Sequence, residues 1–180
     1  MNPNFAHSQA HSRQAFTLLE IVTVMVVLSI LVSVSLGFLL NSREGARVSR
    51  AEADMQVIQQ GLEKYRARFG DYPRIPTEYV GLGDVDTKEE YLLNALFGRI
   101  GPAHQAVSDL PVMLNSAILE YANKGLPISE LQSNWIVDPW GEAYFYDYQP
   151  DSDEWVKFGY ELYSAGPDGE FDTEDDILAP

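Results

Sequence analysis

The chain has 180 residues and a formal net charge of −15, from 27 acidic and 12 basic residues. This excess of acid argues against nucleic acid as a main partner, because binding phosphates requires clusters of lysine and arginine. There is no cysteine, which excludes a disulfide framework and thiol chemistry. The length allows one long helix and one small domain of about 110 residues.

An apolar run extends from Phe16 to Leu40. As a helix it would be about 37 Å long, compared with about 30 Å for the hydrocarbon core of a bilayer. It is too long for the apolar part of a cleaved secretion signal, which needs about 7–15 residues. We therefore predict a retained single-pass membrane anchor over 16–40, preceded by a leader over 1–15. The leader contains Arg13 and no acid, which favours a cytoplasmic leader and a C-terminal domain on the other side.

One acid, Glu20, lies near the start of this apolar run. A carboxylate in the hydrocarbon core costs roughly 2.5–3.5 kcal/mol on insertion scales. A segment that served only as an anchor would have an apolar residue here, so we expect another group to compensate the charge. The simpler alternative is a stray acid near one end of the helix, where it can reach the membrane surface.

The segment from Ala15 to Glu20, Ala-Phe-Thr-Leu-Leu-Glu, resembles the processing site of type IV pilin-like proteins. In that family a prepilin peptidase cuts after a small residue, usually glycine. The new N-terminal phenylalanine is then N-methylated, and the acid four residues later is required for assembly. The resemblance implies cleavage between Ala15 and Phe16, methylation of Phe16, and pairing of Glu20 with the amine of a neighbouring copy. Alanine at the cut site departs from the usual glycine.

Beyond the anchor, apolar residues recur alternately every three and four positions, with charged residues between them. This spacing predicts that the helix continues over 41–69 as an amphipathic segment and ends at Gly70. The apolar stripe is either a wall for a globular domain or a coiled-coil seam, and we favour the wall because the stripe covers only about three heptads. Its members are Val48, Ala51, Met55, Ile58, Leu62, Tyr65 and Phe69.

The remaining residues, 70–180, are expected to form a small globular domain. Apolar spacing predicts short helices over 88–97 and 112–122. Two β-prone segments, 143–148 and 156–164, are separated by a turn and predict an antiparallel hairpin. An isolated hairpin is only marginally stable, so we expect it to pack on the long helix. The predicted fold class is therefore α+β.

An acidic loop over 164–177 follows, with six acids among the nine residues from Asp168 to Asp176. Such closely spaced like charges repel unless something neutralises them. Carboxylate and carbonyl oxygens, with no histidine or cysteine nearby, suit Ca²⁺ rather than zinc. The spacing is not that of an EF-hand. These residues alone leave two interpretations open, a calcium site and a solvated acidic tail.

The C-terminal domain also contains motifs that resemble the major pseudopilin of type II secretion. They are Gly-Asp-Tyr-Pro at 70–73, Asp-Pro-Trp-Gly at 138–141, Tyr-Ser-Ala-Gly-Pro-Asp-Gly at 163–169 and Glu-Asp-Asp-Ile at 174–177. The segment 77–133 is longer than the corresponding connection in that family. This leaves open whether the chain is a major or a minor subunit.

In that family the C-terminal loop binds a structural Ca²⁺ through three acids and through backbone carbonyls. The resemblance therefore implies a metal-binding loop in this chain as well. The implied ligands are the acids Asp168, Asp175 and Asp176 and the carbonyls of Ala165 and Thr173. Asp172 and Glu174 are additional acids that either join the site or stay in water.

Together these resemblances imply a structural subunit without enzymatic activity. It would reside in the inner membrane with its C-terminal domain in the periplasm. There it would form a helical homo-oligomeric filament with other pseudopilins and inner-membrane secretion components, and would help to export folded proteins across the outer membrane. A type IV pilus or DNA-uptake pilin would use the same assembly chemistry. A membrane-anchored metal-dependent hydrolase is the remote alternative, for which the histidines His7, His11 and His104 offer no catalytic arrangement.

Overall fold

The computed structural model describes residues 17–115, 117–125, 130–148, 150 and 159–180, with the backbone alone described over 36–42. The chain divides into two compact units, with the boundary between Arg43 and Glu44. The first unit consists of helix in its described part. The second contains the remainder of the helix and all of the strands.

The long helix, α1, extends over Leu18–Phe69. It begins after Thr17, whose hydroxyl accepts a hydrogen bond from the backbone N–H of Glu20 at 3.2 Å in the manner of an N-cap. It ends at Gly70, which has a φ of 87°, the left-handed conformation in which glycine commonly terminates helices. The predicted long helix and its end are therefore confirmed, while Phe16 lies outside the described residues.

The first unit includes a window, Leu18–Ser35, that is long and apolar enough to cross a membrane. All of its side chains are exposed. Three of its hydroxyl side chains bond to carbonyls of their own helix, one turn earlier, which reduces the cost of placing a hydroxyl in hydrocarbon. These bonds run from Thr23 to Leu19, from Ser29 to Met25 and from Ser33 to Ser29, at 2.7–2.8 Å.

The second unit packs on the predicted apolar stripe of α1. Five stripe residues have an exposed fraction of 1% or less, namely Ala51, Met55, Ile58, Leu62 and Tyr65. On the same helix, a Cβ atom at Gly61 would lie 2.7 Å from a methyl carbon of Leu114, so the long segment 77–133 approaches the helix closely here. The interpretation of the stripe as a wall is confirmed.

The first predicted short helix is confirmed as α2, Lys88–Leu96. Its N-terminus is a capping box in which the hydroxyl of Thr87 accepts from the N–H of Glu90, and the Glu90 carboxylate accepts from the N–H of Thr87. Farther along, Asn94 is buried and exchanges two hydrogen bonds with the backbone of Gln132. The long segment thus belongs to the core of the domain.

The second predicted helix, over 112–122, is wrong. The segment ends instead in a short strand, β1 (Glu120–Tyr121), which pairs antiparallel with β2 (Ile136–Val137). The N–H of Met113 donates to the carbonyl of Leu96, which attaches an irregular stretch to the end of α2. Met113, Leu114 and Leu119 are buried, whereas Val112 and Ile118 are exposed. The apolar residues with helical spacing therefore do not form one buried helical face.

The predicted hairpin is confirmed and is part of a larger sheet. The strands β3 (Phe145–Asp147), β4 (Glu161–Ser164) and β5 (Ile177–Leu178) form an antiparallel sheet in the order β3-β4-β5. The second predicted strand is shorter than expected within the described residues, and residues 156–158 lie outside them. The third strand, β5, was not predicted, because two residues carry no detectable periodicity.

The sheet packs against the long helix, as expected for a hairpin that is marginal alone. Tyr144, just before β3, is buried, and its hydroxyl donates to the Asp54 carboxylate on α1 at 3.3 Å. Tyr146 on β3 is also buried and donates to the carbonyl of Pro73 at 2.9 Å. The described residues form one long α-helix, one short α-helix and two antiparallel sheets, so the α+β class is confirmed.

Candidate functional site

The acidic loop leaves β4 and returns as β5. It starts with a 3-10 helix, Gly166–Asp168, and Gly166 has a φ of 67°, a conformation that favours glycine. A Cβ atom at Gly166 would lie 2.3 Å from the carbonyl oxygen of Asp175. We call the segment that follows β4 and the segment that leads to β5 the two arms of the loop. The arms touch at Gly166 and Asp175, and only a residue without a side chain fits between them.

The carboxylate of Asp175 joins the two arms. One oxygen, Oδ2, accepts from the N–H of Asp168 at 3.1 Å, and the other accepts from the hydroxyl of Thr173 at 2.7 Å. The hydrogen bond from Thr173 is the main reason why the pKa of Asp175 lies below its usual value. The carboxylate is therefore held in its charged form.

Asp176 presents an unpaired acceptor. Its Oδ2 accepts from the backbone N–H groups of Asp172 and Thr173, at 2.9 and 3.3 Å. Its Oδ1 is buried and has no hydrogen-bond partner among the residues that the structure describes. Because a buried carboxylate oxygen without a partner is costly, this atom is a natural ligand for a cation, and a carboxylate oxygen suits a hard cation such as Ca²⁺.

The five predicted calcium ligands all lie in this one loop. Asp168 is exposed and its Oδ1 accepts from the N–H of Glu170, whereas Ala165 is fully buried. Within the described ranges, no group of three or more acidic, histidine or cysteine side chains is arranged around a common metal position. The predicted donors are all oxygen atoms, the type that Ca²⁺ prefers, and the ligand set itself stays a prediction.

Two residues outside this ligand set organise the neighbourhood of the loop. Asp138 is 3% exposed, and its Oδ1 accepts from three successive backbone N–H groups at 2.9–3.0 Å. The donors are Trp140, Gly141 and Glu142. The Asp-Pro-Trp-Gly motif therefore forms a turn, and the tendency of aspartate to bond the backbone just after it is the signal that points to this role.

Ser164, the last residue of β4, connects that turn to the acidic loop. Its hydroxyl donates to Asp138 Oδ2 at 2.5 Å and accepts from the N–H of Gly166 at 3.2 Å. Sequence reasoning missed this residue, because no local pattern brings together two positions that are far apart in the chain. The turn is also attached to α1, since the indole N–H of Trp140 donates to Glu44 at 2.9 Å.

Glu20 occupies the first turn of α1 and is exposed. It is the only charged residue between Thr17 and Ser42, and the next charge along the chain is Arg43. Between Thr17 and Ser42, the sequence therefore provides no cationic side chain to pair with Glu20. The predicted cleavage position, Ala15–Phe16, lies outside the described residues.

His104, the one histidine among the described residues, lies in a bend between secondary-structure elements, as expected for a loop residue. Its Nδ1 is 2.7 Å from the hydroxyl of Tyr91, a buried residue of α2. This contact is a structural one between a loop and a helix. It does not form the serine–histidine arrangement that a hydrolase would require.

The chain is similar to known proteins along most of its length. The family model for the prokaryotic N-terminal methylation motif matches residues 10–36. Type II secretion system core protein G of Escherichia coli K12 is 30% identical over 165 residues, which cover 92% of this chain and 89% of that protein. The protein of the same name from Aeromonas hydrophila is 30% identical over 170 residues, covering 94% and 93%.

A crystal structure of the major pseudopilin from the type 2 secretion system of enterohaemorrhagic Escherichia coli is similar at 21% identity. The match has a TM-score of 0.42 and covers 77% of this chain and 90% of that one. The sequence comparisons place the N-terminal segment in the class of proteins with a methylation motif. The chain belongs to the type II secretion system core protein G family.

Proposed function

We propose that the chain is a structural, non-catalytic subunit of a type II secretion pseudopilus. It is held in the inner membrane as a precursor, with its C-terminal domain in the periplasm, and it is then assembled into a helical filament that helps to export folded proteins across the outer membrane. The observation that carries this proposal is the lone charge of Glu20 in an exposed apolar helix that matches the methylation motif.

Assembly follows from the chemistry of the N-terminus. A prepilin peptidase cuts between Ala15 and Phe16 and creates a new amine, which is N-methylated. No other charged side chain lies between Thr17 and Ser42, so the new amines are the cations available to Glu20. In a filament, its carboxylate pairs with the amine of a neighbouring subunit. A pair of opposite charges in an apolar medium is far less costly than a single charge, so the anchor favours contact with other copies and with other pseudopilins.

We also propose that the acidic loop binds one structural Ca²⁺. Three features support this site: donors that are all oxygen, the unpaired and buried Oδ1 of Asp176, and the close approach of the two arms at Gly166. The ligands would be the side chains of Asp168, Asp175 and Asp176 and the carbonyls of Ala165 and Thr173. When bound, the ion neutralises the clustered acids and stabilises the C-terminal segment that includes β5.

Deletion of the gene tests the proposed function. In the deletion strain, exported folded proteins are expected to accumulate in the periplasm, because the filament lacks a subunit, and expression of the intact chain is expected to restore export. The measurement is the fraction of an exported enzyme found outside the cell. N-terminal sequencing of the chain from the complemented strain should start at Phe16.

Two results would contradict the proposal. Long surface fibres together with normal export in the deletion strain would indicate a type IV pilus subunit instead. A mature chain that still starts at Met1 would rule out processing by a prepilin peptidase, whatever the effect on export.

Removing Ca²⁺ is expected to lower the melting temperature of the purified full-length chain in detergent. At a free Ca²⁺ concentration of about 100 times Kd, the ion stabilises the folded state by about 2.7 kcal/mol. For a chain of this size, that corresponds to a decrease of roughly 5–10 °C when EGTA is added. The measurement is thermal unfolding in Ca²⁺, in EGTA, and in Mg²⁺ as the control ion. Identical melting temperatures in Ca²⁺ and EGTA would exclude the site.

A further inference from the structure

The turn that starts at Asp138 and the acidic loop meet at one hydroxyl group, that of Ser164. We propose that Asp138 and Ser164 are positioning residues that orient the loop for its cation, and that they set its affinity for Ca²⁺. This inference rests on the calcium site of the proposed function. It adds two residues that would not touch the ion themselves.

The carboxylate of Asp138 is held in one orientation by its own turn. Three backbone N–H groups of its own turn donate to Oδ1 at 2.9–3.0 Å, and the residue is 3% exposed. A carboxylate held by several donors cannot rotate without losing them. The direction of its second oxygen, Oδ2, is therefore determined by the turn.

Ser164 links the Asp138 carboxylate to the acidic loop through two hydrogen bonds. It is fully buried, and its hydroxyl donates to Asp138 Oδ2 while accepting from the N–H of Gly166. A hydroxyl can do both at once because it is both a donor and an acceptor. Alanine can do neither, and it would leave a buried carboxylate oxygen and a buried N–H without partners, at a cost of about 1–3 kcal/mol for each group.

The peptide group that Ser164 holds is one that the calcium site needs. The N–H of Gly166 and the carbonyl of Ala165 belong to the same planar peptide unit. Fixing the N–H toward Ser164 therefore fixes the direction of the Ala165 carbonyl, which is a predicted ligand.

The same peptide also affects the opposite arm of the loop. A Cβ atom at Gly166 would be 2.3 Å from the carbonyl oxygen of Asp175, so Gly166 and Asp175 are in close contact. Any rotation of the peptide at Gly166 would displace the backbone next to Asp175 and Asp176. Both arms of the predicted site thus depend on one hydrogen bond from Gly166 to Ser164.

The test compares Ser164→Ala with Ser133→Ala in the full-length chain in detergent. The control makes the same chemical change, because the hydroxyl of Ser133 also donates to a buried carboxylate, that of Glu90. Calcium affinity is measured by competition with a fluorescent chelator. We expect Ser164→Ala to weaken Ca²⁺ binding about 10- to 100-fold, as is typical when a residue that orients a metal ligand is removed. Ser133→Ala should keep the affinity of the unaltered chain.

Melting temperatures in EGTA separate positioning from general stability. A purely structural role would lower the melting temperature of the metal-free chain and leave the calcium Kd of the folded protein unchanged. If Ser164→Ala does not fold, Asp138→Asn provides the second variant, since it keeps the size of the side chain and removes the charge that Ser164 contacts. It is expected to weaken Ca²⁺ binding in the same direction.

Folded Ser164→Ala or Asp138→Asn protein that binds Ca²⁺ as tightly as the unaltered chain would overturn the inference. Failure of the underlying calcium site has a different signature, because the unaltered chain would then bind no Ca²⁺.

Discussion

Replacing Glu20 with leucine is expected to abolish filament assembly and protein export, while the chain still inserts into the membrane. Insertion itself should become more favourable, by at most roughly 2.5–3.5 kcal/mol, which is the cost of a charge at the centre of the hydrocarbon core. Assembly should fail because the amine of the neighbouring subunit loses its partner. The measurements are export of a folded enzyme in the deletion strain, and the yield of filaments when the chain is overproduced.

Thr23→Leu is the matched control for this experiment. It also converts a polar residue of the same apolar segment to leucine, one turn farther along, but the hydroxyl it removes donates to the carbonyl of Leu19 in its own helix. This variant should assemble normally. If Glu20→Leu supported normal export, the charge-pairing account of assembly would be wrong. A defect of equal size in both variants would instead point to helix packing.

Replacing Gly166 with alanine is expected to disrupt the acidic loop more severely than the same change at Gly169. Both glycines have a positive φ, 67° and 72°, and forcing alanine into this region costs about 1–2 kcal/mol at either position. At Gly166 the new methyl group would also lie 2.3 Å from the backbone carbonyl of Asp175. Rotation of a side chain cannot relieve this clash, because the neighbouring atom belongs to the backbone. The two arms of the loop must therefore move apart.

Gly169→Ala supplies the comparison, because its nearest neighbour would be the flexible side chain of Glu142, 3.4 Å away. We expect Gly169→Ala to lower the free energy of unfolding only by the cost of the positive φ, about 1–2 kcal/mol. This variant should still be stabilised by Ca²⁺. Gly166→Ala should lose more stability and most of the response to Ca²⁺. The measurement is thermal unfolding of both variants in Ca²⁺ and in EGTA. Equal behaviour of the two variants would show that the close contact at Gly166 does not matter.

Long periodic segments were predictable from the amino-acid pattern. The stripe from Ala51 to Tyr65 repeats often enough to establish a helix and the face that it buries. The end of that helix at Gly70 was also predictable, because glycine commonly terminates a helix in the left-handed conformation. The same holds for α2, where Thr87 and Glu90 form a capping box that can be recognised in the sequence.

The segment over 112–122 shows where such reasoning fails. Its apolar residues have helical spacing, but Glu120 and Tyr121 pair with Val137 and Ile136 of β2. Whether a short apolar stretch forms a helix or a strand is decided by the partner that it meets, since the local preferences differ by less than the energy of packing.

In the candidate site, too, some features were predictable from the sequence and others were not. The composition of the acidic loop and the position of Glu20 are local facts, so a cation site and a charge pair could be proposed from the chain alone, and both stay predictions. The role of Ser164 could not be predicted from the sequence, because it depends on a contact with Asp138. The strand β5 could not be predicted either, because it forms by pairing with β4. Charge, hydrophobic periodicity and glycine positions act over a few residues and can be read along the chain. Hydrogen bonds between distant residues arise only after the core has brought them together, and that step belongs to the tertiary structure.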